Sequence, residues 1–153
     1  MGVMVFLVIF QVLILPVVFA FWLGAAKPMS KSHWLVLALM VGGYLTTMAL
    51  AGPWSWFHLK LAYALPVLFI TGFALSLRNL KGLRLSPPGG LKSIFNLVVT
   101  VLVGALFMLQ AVVAIGGRIA PEETIDLAFP LEGGRFVVGQ GGASPLLNYH
   151  NAY

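Results

Sequence analysis

No aspartate or glutamate occurs in the first 121 positions, and the same stretch holds four apolar runs, at residues 3–23, 34–51, 61–77 and 94–115. A helix rises 1.5 Å per residue and needs about 20 residues to cross roughly 30 Å of hydrocarbon. Each run is close to that length, and the shortest, 61–77, is flanked by Lys60 and Arg78, whose stems can carry their charges to the headgroups. Only 8% of the 153 residues are charged and 60% are hydrophobic, whereas soluble domains carry about 25% charged residues. A soluble fold of this size could not hide so much apolar surface, but a bilayer can solvate it. The expected fold class is therefore an all-α membrane protein with four transmembrane helices, followed by a short extracytoplasmic tail containing a β-hairpin. Residues 1–117 form the membrane domain and residues 118–153 the tail.

None of the four runs has a charged face, so none reads as a helix lying on the membrane surface. Pro16 and Pro66 fall inside runs and predict kinks, tolerated where neighbouring groups take up the freed backbone. Trp22, Trp34, Trp54, Trp56 and Phe57 cluster at the ends of runs, as an interfacial belt does. The first run, with Gly24-Ala25-Ala26 after it, also invites comparison with a cleaved signal peptide. It has no basic residue before it and is longer than the usual apolar region of such peptides, which favours a retained span.

The net charge is +5 and the pI about 9.9. In a soluble chain that balance would suggest nucleic acid; here the cations sit singly beside apolar runs, and no nucleic-acid partner is expected. Lys27 and Lys31 lie in the first loop, and Arg78, Lys81, Arg84 and Lys92 around the third. Four spans put those two loops on one side, with only Lys60 and Arg118 on the other. The excess of cations on cytoplasmic loops then places both termini outside the cytoplasm. Cysteine is absent, so there is neither a disulfide framework nor a thiolate metal site.

Chemistry-bearing residues are sparse in the membrane part. Without carboxylates it lacks the groups that proton and cation transporters place at mid-membrane. Gln11, Asn96 and Gln110 are its strongest polar side chains and suit hydrogen bonding between helices. Gly42, Gly43, Gly72 and Gly104 suit close helix approach. His33 and His58 fall on opposite sides of the membrane, too far apart to share one iron. Trp54-Ser55-Trp56-Phe57 reads as an interfacial anchor, and Leu85 to Gly90 lacks the Gly-x-x-x-x-Gly-Lys-Ser/Thr spacing of a phosphate loop. No cofactor is expected in this chain.

After Ile115 the pattern changes. All four carboxylates appear, Ile125, Leu127 and Phe129 alternate with Asp126 and Ala128 as on a half-buried strand, and Gly133-Gly134 marks a two-residue hairpin turn. A lone hairpin is marginal in water, so the tail either packs on the membrane part or begins something longer. Phe129-Pro130-Leu131, then Gly133 to Gly142, then Asn148-Tyr149-His150 resembles the opening of a lysostaphin-type peptidase domain. The likeness covers about residues 125–153. It implies an extracytoplasmic β-domain that acts on peptidoglycan, with zinc held by a His-x-x-x-Asp pair and a later His-x-His. It also implies the bacterial inner membrane as the location. On that resemblance His150 is a metal ligand, although Ala152 stands where the family has glycine. A catalytic zinc needs three protein ligands, and the partners of His150 would follow Tyr153, so the chain by itself is not expected to be an active peptidase. Three expectations result. The first is a multi-pass anchor for a truncated peptidase-like domain, whose full-length parent would be a zinc metallo-endopeptidase. The second is a complete small membrane protein acting as a subunit or scaffold. The third, a transporter or redox protein, is disfavoured by the missing carboxylates.

Overall fold

The computed structural model describes residues 2–54 and 57–119. They form four helices long and apolar enough to cross a membrane: α1 (Gly2–Ala25), α2 (Lys31–Ala51), α3 (Leu59–Leu80) and α4 (Leu91–Gly116). The chain is a multi-pass helical membrane protein. Every helix starts before its apolar run, and only α2 ends with it; the other three run one to three residues further. For α2 the reason lies in capping. Ser30, extended at φ −161°, starts α2 by accepting a bond from the His33 amide, so helix begins in polar sequence ahead of Trp34. The short third run gains its length from 3₁₀ turns, Leu59–Tyr63 before the α-helical part and Arg78–Leu80 after it.

Consecutive helices run in opposite directions. The most extensive packing is between the parallel pairs, α2 with α4 and α1 with α3. α2 also packs on α3 and α1 and is the most buried of the four, which makes it the hub of the bundle. Both parallel contacts depend on missing side chains. A Cβ on Gly72 of α3 would collide with the backbone carbonyl of Ala20 in α1, and one on Gly43 of α2 would stand 2.9 Å from the Phe107 carbonyl carbon in α4. Small residues that let backbones touch are the usual basis of helix association in lipid, where no hydrophobic force draws helices together. Between these contacts the core is filled by Val12, Leu23, Leu37, Val41, Tyr44 and Leu65.

The two prolines are accommodated differently. Pro16 follows a π-helical turn, Phe10–Ile14, in which the Leu15 amide bonds back to the Phe10 carbonyl. In that register the Gln11 carbonyl would next receive the amide of residue 16, and proline has none. The Tyr44 hydroxyl of α2 donates to it instead, at 2.6 Å. Pro66 sits at the third position of the α-helical part of α3, directly after the 3₁₀ turn, where the helix is only beginning.

Candidate functional site

The end of the bundle that gathers the α1–α2 and α3–α4 loops concentrates polar contacts. The loop before α4 returns over α2, and the carbonyls of Arg84 and Leu85 accept from the amides of Lys31 (2.9 Å) and Ser32 (3.1 Å). These are first-turn amides that have no partner within their own helix. Asn79, near the end of α3, donates its side-chain amide to the carbonyls of Gly24 (3.2 Å) and Ala26 (3.0 Å) at the end of α1. Trp34 of α2 donates its indole N–H to the buried Ser76 hydroxyl of α3 at 2.9 Å, and Ser76 donates on to the Phe73 carbonyl at 2.6 Å. His33 links α2 to α4. Its Nδ1 accepts from the Met29 amide at 3.2 Å, which leaves Nε2–H to face the Thr100 hydroxyl at 3.5 Å. Thr100 in turn donates to the Asn96 carbonyl at 2.7 Å. Every helix is thereby tied to another at this end.

Around this polar layer stand Lys27, Lys31, Arg78, Lys81, Arg84 and Lys92, all exposed. The described residues contain no carboxylate side chain to neutralise them. The Thr100 hydroxyl proton is committed to the Asn96 carbonyl and His33 Nδ1 to the Met29 amide, so this pair is engaged in holding the fold. What the arrangement can do is fix a rigid, cation-rich rim at one membrane surface.

The opposite end is closed by other means. Trp54 is buried, and its indole N–H caps the Met48 carbonyl at the end of α2 (2.9 Å). The expectation of an interfacial anchor is corrected for this residue: its indole serves as a helix cap. Arg118, just past α4, donates to the Leu50 carbonyl at 2.6 Å, a favourable place for a cation at a helix C-terminus. The chain therefore leaves α4 at the end opposite the six-cation rim. His58 lies at this end, before α3, and His33 at the other, about 27 Å of helix rise away. Among the described residues no three His, Cys, Asp or Glu side chains come together as a metal site. His150, the strand expected at 125–129 and the hairpin at Gly133-Gly134 lie outside the described residues.

No family model, curated protein or solved structure matches this chain.

A shallow apolar cleft of about 300 Å³ opens between α2 and α3, lined chiefly by Gly42, Leu45, Ala49, Pro66, Phe69 and Ile70. It is continuous with the lipid-facing surface and brings no titratable group together. Sequence reasoning identified the close-approach glycines but missed Tyr44, Ser76 and Asn79. Tyr44 had a findable signal, since a proline inside a span demands a donor from elsewhere.

Proposed function

We propose that this four-helix unit is a membrane anchor that holds its C-terminal segment outside the cytoplasm, and that residues 125–153 open a peptidoglycan-peptidase-like domain of the lysostaphin type. The observation that carries the orientation is the division of the two ends. Six exposed cations share one end, and the chain emerges from α4 at the other. Cationic loops stay in the cytoplasm, so the tail faces out. The peptidase-like character rests on the Phe129-Pro130-Leu131, Gly133 to Gly142 and Asn148-Tyr149-His150 segments alone. His150 by itself falls short of the three protein ligands of a catalytic zinc, so the described helices serve such a domain by placement and not by chemistry.

Alkaline phosphatase folds to an active form only outside the cytoplasm. Fused after Arg118 it is expected to be active, and fused after Arg84 inactive; the reverse pattern refutes the orientation. The peptidase reading is tested separately on the gene. The reading frame after Tyr153 is expected to supply an Asp shortly downstream and a later His-x-His. A stop codon directly after Tyr153 refutes the peptidase reading without touching the orientation.

A further inference from the structure

α1 is the most apolar of the four helices and among the least buried. Its buried side, Val12, Pro16, Ala20, Leu23 and Gly24, faces the bundle. The other side is open to lipid, with Leu7 at 51% exposure, Ile14 at 43%, Val18 at 49% and Phe21 at 76%. In the middle of that apolar side stands Gln11, also exposed. Its side-chain amide forms no hydrogen bond among the described residues, whereas its backbone carbonyl is held inward by Tyr44. It lies nine positions after the start of α1 at Gly2, about 14 Å of helix rise. A glutamine side chain cannot reach the headgroups from that depth.

An amide facing hydrocarbon without a partner is costly, and the cost is removed when a second polar group meets it. We infer that α1 is the contact surface for a second copy of this chain, with Gln11 of each copy bonded to Gln11 of the other. The commitment to a second copy follows from the chemistry of the group. A carboxamide carries two N–H donors and an acceptor oxygen, so it is its own complement across a two-fold axis, the commonest symmetry of homo-oligomers. Leu7, one turn before Gln11, supplies an apolar flank of the contact, and Ile14 and Val18, at the end of the π-turn and beyond it, are exposed as well. The π-turn has a definite part in this. π-Turns commonly occur at functional positions in helices, and here the turn and Pro16 give the Gln11 carbonyl an inward partner on α2, which pins the backbone from which the side chain projects outward.

The chain has no cysteine, so a single introduced thiol reports the contact without background. Leu7→Cys retains Gln11 and places a thiol four residues away on the same exposed side. In dilute liposomes the full chain carrying Leu7→Cys is expected to form a disulfide dimer on oxidation, and Leu102→Cys, on the lipid side of α4, is not. Adding Gln11→Leu should lower the crosslinked fraction, corresponding to a roughly threefold to tenfold weaker dimer, and Gln11→Asn should restore most of it. Energy transfer between labelled copies of the otherwise unaltered chain should show the same order. A Leu7→Cys chain that stays monomeric, or a dimer unmoved by Gln11→Leu, overturns the inference. So does a crosslink made in cells to a different protein in place of a second 16.5 kDa chain.

Discussion

Tyr44→Phe is the sharpest test of how α1 tolerates Pro16. The substitution leaves the ring in place, and with it the edge contact to Phe19 at 4.9 Å and the tilted contact to Phe107 at 5.2 Å. Only the hydroxyl that donates to the Gln11 carbonyl is lost. That carbonyl then has no donor, because the Leu15 amide is committed to Phe10 and position 16 has no N–H. A buried polar group left unsatisfied costs about 1–3 kcal/mol, whereas side-chain hydrogen bonds between membrane helices average about 0.6 kcal/mol with a maximum near 1.7. The smaller figures arise because an unfolded helix in lipid also finds partners for its side chains. A carbonyl orphaned by proline has fewer alternatives, so a loss of about 1–2 kcal/mol is expected. Pro16→Ala supplies the missing amide, and in that background Tyr44→Phe should cost about 0.5 kcal/mol or less. The assay is reversible unfolding in bicelles by added denaturing detergent, followed by helicity, across the four members of the cycle. Equal costs in the two backgrounds would refute the account of the π-turn, because they would show that the hydroxyl does not answer to proline's missing donor.

Two further outcomes follow from contacts elsewhere in the bundle. Gly72→Ala forces a Cβ against the Ala20 carbonyl and should destabilise by about 1–3 kcal/mol, while Gly89→Ala, where an added Cβ meets nothing within 4 Å, should change the same unfolding midpoint little. Ser76→Ala removes the acceptor of the Trp34 indole N–H and should cost about 0.5–1.5 kcal/mol, together with a change in tryptophan emission; unchanged stability and emission would show that this bond does not hold α2 to α3.

The number and positions of the helices were legible because they depend on run length against hydrocarbon thickness, and that comparison needs no tertiary information. Helix ends were less legible. Ser30 capping α2 through the His33 amide, and 3₁₀ turns extending α3, are choices made among polar residues that a hydropathy pattern does not register. The close-approach glycines Gly43 and Gly72 were visible as small residues, yet nothing in one sequence pairs Gly72 with Ala20 or Gly43 with Phe107. Trp54 shows why position along the chain is a weak guide to side-chain role. Gly52 before it lacks a Cβ that would stand 2.9 Å from the indole nitrogen, so the chain can fold the ring back over the end of α2. A belt residue and a capping residue look alike in sequence.

The division of charge between the two ends is less sensitive to such errors. Lys31, Arg78 and Lys92, read as flanks and loop residues, lie within α2, α3 and α4, so half of the six cations changed element between sequence and structure. None changed end. Moving a helix boundary by a turn shifts a residue about 5 Å along the axis, whereas crossing to the other surface requires about 30 Å. The loop-to-helix bonds from Lys31 and Ser32 to Arg84 and Leu85 hold the two cationic loops together, and the bond from Arg118 to Leu50 holds the exit of α4 at the far end of α2. The proposed orientation therefore rests on the order of the spans and the count of cations. A single substitution such as Lys81→Gln should leave it unchanged, and reversing it should require moving several charges to the segment around Lys60.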